Sequence, residues 1–560
     1  MGGELERERA ASLPEELWEN ILGRLPAKAF AKACVTCHSW NCICNRILSR
    51  PKLLSALSVH HTLEECMDEA LAKVLSKPIR PHFVMAFTGF ASSLEKTHIL
   101  LCSEFGGTVP LVTCFSQGLI GRDTVSNEVE EVLCLCLNFF LFSAIVVQKV
   151  LWDPYNDVLT DRGVLLTIGF VPGLKVEAVP LFGSPEISTR TCVELFLADI
   201  NNFTKEASNC ANPTGIVMFT EQKDLRYILQ TMDDAFQGQT PIVGGVAAED
   251  KEGSILYSAG DWSRTTRIQN LCLPPESSKS RSYTKLLMDR NYRLDAVALV
   301  FAKDMYNTLG VHEIHFTSAV STGLKPRGPS YKVASVRSSL QETWLTAKRE
   351  GLPNALDGPR IWEEIENEVG NEIYGDPYIG VLKRRKHYIA AGKRKSVSSF
   401  AYHGFYNSDD RYLNLEGEGI KTADTFRFYF PSVEAAWASR NAVCEQLKVL
   451  KQKGSEDCGP RNMQNGLETQ VFGGLIFACT SRGLPFFREK NVDSSAFSEI
   501  FPGVPLAGTY VGGEIGPPAL GEMERSQMNL TCSCLSYYSS VFLVMSYTMN
   551  SLETWAIGQS

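Results

Sequence analysis

A mixed α/β fold, with a small helical segment followed by two related α/β parts, is the class this sequence predicts. Three observations carry it. Short apolar runs bounded by glycine and proline recur along the body, each followed by a helical stretch. An apolar stripe of helical period opens the chain. The composition, 44% hydrophobic and 21% charged over 560 residues, is sufficient to fill several cores. At about 150 residues per domain, this length suggests three or four domains. The net charge of −8 argues against nucleic-acid binding driven by bulk charge. No run reaches the roughly 18–20 apolar residues of a membrane span. Met1–Ala11 carries alternating Glu and Arg with no apolar stretch, so it does not read as a signal peptide. Seventeen cysteines without such a signal point to reduced thiols in cytosol or nucleus.

The first element opens at Ser12-Leu13-Pro14-Glu15. Ser12 and Glu15 have capping-box spacing, and Pro14 is tolerated in a first turn. Leu13, Leu17, Ile21, Leu22 and Leu25 follow at helical spacing until Pro26, and Phe30, Cys34, Cys37 and Trp40 continue it in a second helix. About 45 residues do not bury such a stripe alone, so the segment needs a partner or a neighbouring domain. Cys34, Cys37, His38, Cys42 and Cys44 crowd too closely for the separated ligand pairs of a zinc ribbon. Small buried cysteines on helices explain them, and no metal is expected.

The string Leu13-Pro14-Glu15-Glu16-Leu17, then Ile21-Leu22, Leu25-Pro26, Cys37 and Trp40, resembles an F-box over about Ser12 to Leu48. That resemblance implies docking on a Skp-type adaptor, and through it a cullin–RING ubiquitin ligase. The residues it implies for docking are Leu13, Pro14, Leu17, Ile21, Leu22, Leu25, Pro26, Phe30, Cys37 and Trp40. One departure is Thr36, where the family usually has an apolar residue.

Leu63, Met67, Leu71, Val74 and Leu75 form an amphipathic helix leading to Lys77-Pro78. A pattern then appears three times. The first copy is Phe83-Val84-Met85-Ala86-Phe87, then Gly107 to Val112. The second is Gly215-Ile216-Val217-Met218-Phe219, a helical stretch, then Phe236 to Gly244. The third is Gly474-Leu475-Ile476-Phe477, then Phe501 to Gly508. Each reads strand, helix-bearing crossover, Gly–Pro turn and second short strand, as buried parallel strands require. Further strands are expected at Val164–Phe170, Ala296–Phe301 and Val541–Tyr547. The shared order Phe-x-Gly, Pro, Ile or Leu, Val or Ala, Gly in copies two and three points to duplication rather than shared turn chemistry.

These copies, with Pro241-Ile242-Val243-Gly244-Gly245 and Gly512-Gly513-Glu514-Ile515-Gly516-Pro517, resemble the N-terminal and C-terminal parts of the FIST sensory domain over roughly 80–547. F-box plus FIST resembles a family of F-box proteins that recruit substrates for ubiquitination, and a small-ligand pocket is implied by the FIST resemblance alone. The expected layout is an F-box at 12–58, a linker helix at 59–80, and FIST N- and C-terminal parts at 81–320 and 321–548. Residues 133–161, which hold all but the first residue of the apolar run Val132–Val147, stand as a possible insertion or splice artefact.

Candidate pocket residues are Gly244, Gly245, Glu249, Cys479, Arg482, Gly512, Gly513 and Glu514. Glycines at strand ends admit a ligand close to the backbone, and Glu249 or Glu514 there can take an amine. Arg482 beside Cys479 is positioned to lower a thiol pKa, against the commoner inert buried cysteine. His312-Glu313-Ile314-His315 lacks the spacing of a zinc-protease helix and reads as a strand. Lys383–Lys386 and Lys393–Lys395 place seven cations within thirteen residues, a nuclear-import patch or a solvated loop. Phosphate-loop, serine-hydrolase and zincin motifs are absent. The expectation is a non-catalytic adaptor, cytoplasmic or nuclear, with no cofactor, nucleic acid or membrane, recruiting a protein substrate. The alternative is a small-ligand sensor.

Overall fold

The computed structural model describes residues 14–548 except 91–92, 134–162, 184–186, 222–224, 248–255, 261–292, 307–312, 340–341, 371–374, 390–392, 454–468 and 519–532. Ser12, Leu13 and Glu249, and nearly all of 133–161, thus lie outside the described residues.

Three short helices come first: α1 (Glu15–Leu22), α2 (Ala27–Cys34) and α3 (His38–Ile47). Helix α1 starts behind Pro14 without a side-chain cap. The helix expected across Phe30 to Trp40 is two helices. Cys37 is extended, and its Sγ accepts the Trp40 N–H at 3.5 Å, so it ends one helix path and caps the next.

The chain continues through β1 (Lys52–Val59), α4 (Leu63–Val74), β2 (Phe83–Thr88), α5 (Leu94–Phe105), β3 (Leu111–Phe115), β4 (Gly118–Arg122), β5 (Val129–Leu133), β6 (Gly163–Phe170) and β7 (Leu174–Gly183). It then forms α6 (Thr189–Ser208), β8 (Gly215–Thr220), α7 (Arg226–Phe236), β9 (Ile242–Val246), β10 (Leu256–Ala259), β11 (Arg293–Lys303) and β12 (Glu313–Thr322). Thr62 caps α4: its Oγ1 accepts the Glu65 N–H at 3.3 Å and donates to the Glu65 carboxylate at 2.7 Å. Residues 52–58, expected in the F-box, and Val59 are instead a body strand paired along its whole length with β6.

Residues 324–431 form a separate sheet of β13 (Leu324–Ser338), β14 (Glu342–Arg349), β15 (Ala355–Leu356), β16 (Tyr378–Ile389), β17 (Lys393–Ser408), β18 (Leu413–Glu416) and β19 (Thr425–Pro431), with α8 (Gly358–Val369). Its order is β13-β19-β16-β17-β18-β14-β15, and a further β13–β14 pairing closes six strands into a barrel. Closure leaves those strands no free edge. Ile361, Ile365 and Val369 of α8 pack into its core. The basic cluster lies on the β16–β17 hairpin rather than in a loop.

The last section runs α9 (Val433–Lys453), β20 (Thr469–Cys479), α10 (Leu484–Phe487), α11 (Val492–Ser498), β21 (Leu506–Val511), β22 (Glu514–Gly516), β23 (Cys534–Ser536) and β24 (Ser539–Thr548). The three sequence copies are three parallel strand pairs, β2 with β3, β8 with β9 and β20 with β21, each bridged by helix. Each pair has an antiparallel neighbour, β6, β11 or β24, and an outer strand, β1, β7 or β12.

The strand after each pair leaves its own sheet. β4 joins β21, β22 joins β9, and β10 joins β3. Three equivalent units therefore exchange strands in a closed ring. Phe87, Phe219 and Phe477 occupy the same position in the three units and meet at its centre, with centroids 5.5 and 5.7 Å apart. Gly244 and Gly508 are also equivalent, and a Cβ at either would lie within 2.0 Å of a backbone carbonyl oxygen on the paired strand. Only glycine fits, which explains the motif shared by copies two and three; the first copy has Thr113 there.

The ring also bears on the expected division at 320/321. Strands from 118–122 and 506–511 share one sheet, and 242–246 and 514–516 share another, so the body does not separate there into two sheet systems.

Candidate functional site

Two constellations were expected, and the structure builds each differently. In the helical unit, Leu22, Phe30, Ala33, Ile43 and Cys44 form a small core, with Trp18, Leu25 and Trp40 packed on it. Leu22 and Phe30, expected on the docking face, are interior. The reason is geometric: three short helices have one inside, and α1 turns these residues into it while Leu17 and Ile21 point outward. Leu17 is 50% exposed and Ile21 46%. They sit one turn apart on α1, and Pro14, Pro26 and Cys37 are exposed as well. Arg46 bonds Glu15 at 3.1 Å and ties α3 to α1.

The unit is fixed to the body. The Ala27 N–H donates to the Leu75 carbonyl at 2.8 Å, Lys28 pairs with Glu104, and Ala27 belongs to the core beneath α4.

The second constellation lies where β20 ends and β22 begins. Glu514 pairs with Gly245, and Ile515 with Gly244. The Val246 N–H donates to Gly513 O, and the Gly512 N–H to Val246 O, both at 2.9 Å. A Cβ on Gly245 would run into Val511. Glu514 is fully buried. Its Oε2 accepts from the Ser539 N–H at 3.1 Å and Oγ at 2.6 Å, while Oε1 has no hydrogen-bond partner. Burial pushes its carboxyl up to about 8.

Cys479 lies beside it, and burial, then the Glu514 charge, raises the thiol rather than lowering it. Arg482 does not activate it. The guanidinium is wholly buried and holds Asp493 through Nε at 3.0 Å and Nη2 at 2.6 Å. It also donates to Tyr538 O at 2.9 Å and Ser321 Oγ at 3.2 Å. With its donors committed to Asp493 and the chain, Arg482 ties α11 to the β23–β24 turn and to β12. Gly244, Gly245, Gly512, Gly513, Glu514 and Cys479 are thus brought together, with Arg482 behind them as a strut.

Sequence spacing missed the aromatic flank. Tyr378 of the barrel stacks on Tyr537 at 4.7 Å, and Tyr538 lies edge-on to it. No local signal links residues so far apart. Among the described residues no group of three His, Cys, Asp or Glu is placed to hold a metal, and no helix is long and apolar enough to cross a membrane.

A three-helix unit with an outward apolar pair, joined to an α/β body, defines the class of F-box proteins. Comparisons with known proteins agree. An F-box-like family model matches residues 10–53, and the FIST N domain matches residues 82–341. The chain is 34% identical to an F-box/LRR-repeat protein of Arabidopsis thaliana over 547 residues, 96% of this chain and 94% of that protein. It is 50% identical to F-box only protein 22 of Pongo abelii over 150 residues, 27% of this chain and 34% of that one. An uncharacterized protein of Mycobacterium bovis matches at 45% over 53 residues, 10% of this chain and 14% of that protein. The chain belongs to the family of F-box proteins that carry a FIST domain.

Proposed function

We propose that the chain is the substrate-recognition subunit of an SCF-type ubiquitin ligase. Leu17 and Ile21 dock a Skp-type adaptor, and the α/β body binds the protein to be ubiquitinated, in cytoplasm or nucleus. The carrying observation is this half-exposed apolar pair on a helix whose other face is locked into a core; exposed apolar clusters of this kind mark partner surfaces. The chain performs no bond chemistry. It raises the effective concentration of substrate lysines near the conjugating enzyme, and the fixed junction to the body keeps that distance constant. Capture of the adaptor from cell extract by the full chain, and its loss in Leu17→Asp, tests the reading; undiminished capture overturns it.

A second reading, a small-ligand sensor, is favoured by the buried, unpartnered Oε1 of Glu514 beside four glycines. A screen of metabolites for raised melting temperature in wild type and Glu514→Gln tests it.

A further inference from the structure

Four free thiols, Cys34, Cys37, Cys42 and Cys44, crowd the stretch from the end of α2 into α3, and their surroundings differ. The Cys37 sulfur accepts the Trp40 N–H at 3.5 Å, and the exposed Cys42 sulfur lies 3.6 Å from His38 Nε2. Cys34 and Cys44 instead meet across the helix pair. Asn41 Nδ2 donates to the Cys34 carbonyl at 3.0 Å, which sets one face of α3 against the last residue of α2. Cys44 lies three residues beyond Asn41, on that same face. It is buried in the core of the helical unit, and the half-buried Cys34 packs against that core. The two thiols share a hydrogen bond.

A covalent tie at this place has much to hold. A segment of this size builds too small a core to be rigid by itself, and a turn at residues 35–37 is the chain's link from α2 to α3. Leu22 of α1 belongs to the same core as Cys44, so the docking helix rests on these two helices. The two thiols also differ in access. Cys34 is reachable from solvent, whereas burial, then the Cys34 thiol, pushes Cys44 up to about 12. Cys44 therefore stays protonated and does not start an exchange with a dissolved oxidant. One thiol that starts and a protected one that follows make an ordered pair.

We propose that Cys34 and Cys44 form a reversible disulfide, a redox modification site that staples α2 to α3 when the surrounding small-thiol pool is oxidised. The oxidant is a small disulfide, for which oxidised glutathione serves as the probe. The Cys34 thiolate attacks one sulfur of that disulfide, whose S–S bond breaks. One glutathione leaves as a thiolate and takes up the proton that Cys34 released. The Cys44 sulfur then attacks the Cys34 sulfur, and the bond from Cys34 to the second glutathione breaks. That glutathione leaves with the Cys44 proton. Two protein thiols are thereby oxidised, and one small disulfide is reduced to two thiols. Such a site goes beyond the adaptor reading and does not depend on it.

The test exposes the full chain at pH 7 to mixtures of oxidised and reduced glutathione, blocks the remaining thiols by alkylation in denaturant, and digests with chymotrypsin. Cleavage after Trp40 separates Cys34 and Cys37 from Cys42 and Cys44, so a bond between the helices joins two peptides in the mass spectrum. The expected link escapes alkylation at Cys34 and Cys44, persists in Cys37→Ser, disappears in Cys34→Ser, and reverts with reduced glutathione. Cys44→Ser should instead retain glutathione on Cys34. Amide exchange across α2 and α3 should slow about tenfold or more in the linked chain. The wild-type and Cys37→Ser maps remain decisive if a variant at Cys34 or Cys44 fails to fold. Three outcomes overturn the proposal: Cys44 fully alkylated at every glutathione ratio, a link that runs to Cys37 or Cys42, or unchanged exchange in the linked chain.

Discussion

Replacing Leu17 and Ile21 with alanine separates docking from folding, and the structure sets both magnitudes. Each side chain already has about half its surface against the helical unit. Full burial of such a side chain is worth about 1.5–3 kcal/mol, so covering the exposed half contributes about 1 kcal/mol each. Losing both removes about 2 kcal/mol of docking energy, close to thirtyfold in dissociation constant. Leu22 is the control, at 1% exposed within the core of Trp18, Phe30 and Ile43. Leu22→Ala should cost about 2–5 kcal/mol of folding stability by opening a cavity. The assay pairs titration against a Skp-type adaptor with thermal unfolding of the same proteins. The double variant should bind about thirtyfold more weakly with its unfolding nearly unchanged, whereas Leu22→Ala should unfold early. Wild-type affinity in the double variant would refute the assignment of the docking face, as would an affinity loss that only follows lost stability.

Three further outcomes follow from the body. Phe219→Ala removes the ring that touches both Phe87 and Phe477 and should lower stability by about 3–5 kcal/mol in denaturant unfolding; a loss below about 1 kcal/mol would mean the central contact matters little. Arg482→Met strands Asp493 as a buried carboxylate and should cost about 3–5 kcal/mol, while Arg482→Met with Asp493→Leu should recover most of it; equal costs for the two would rule out the strut. Glu514 is held near 8 in the folded chain against an ordinary value near 4.5, so folding favours its protonated form. Stability from this group is full below about pH 4.5, declines as pH rises, and is lost above about 8. Glu514→Gln should gain on wild type across that window when melting temperatures are compared at pH 5 and pH 8; Asp233, also pushed to about 8, adds a similar slope to both proteins and cancels.

Much of this was legible because it is local. Three apolar runs followed by Gly–Pro turns became three parallel pairs, since a strand buried on both faces must be continuously apolar. The F-box string likewise located the helices. What spacing did not reveal was direction. Leu22 and Leu17 both fit the stripe, but only packing decides which side is interior. Nor did it reveal exchange: β4 follows β3 after two residues, yet pairs with β21, nearly four hundred residues later. The same limit applied to Arg482. A cation three residues from Cys479 reads as an activator in sequence, and in space it is spent on Asp493.

The strand exchange has a mechanical consequence for an adaptor. No unit of the ring can open without breaking pairs in two sheets, because each donates one strand and receives another. The F-box unit enters this ring directly through β1, which pairs with β6, the strand beside β2. The hydrogen bond from Ala27 to Leu75 adds a second attachment on the far side of α4. Two attachments on a closed ring leave the docking helix little freedom relative to the body. A substrate bound anywhere on that body would therefore be held at a fixed distance and angle from the adaptor, and lysine choice would follow from geometry rather than from a flexible tether. Inserting a Gly-Ser segment between Ser49 and Lys52 should leave adaptor affinity intact while broadening the set of lysines modified on a given substrate, as read by mass spectrometry; an unchanged lysine pattern would show that the junction does not set it.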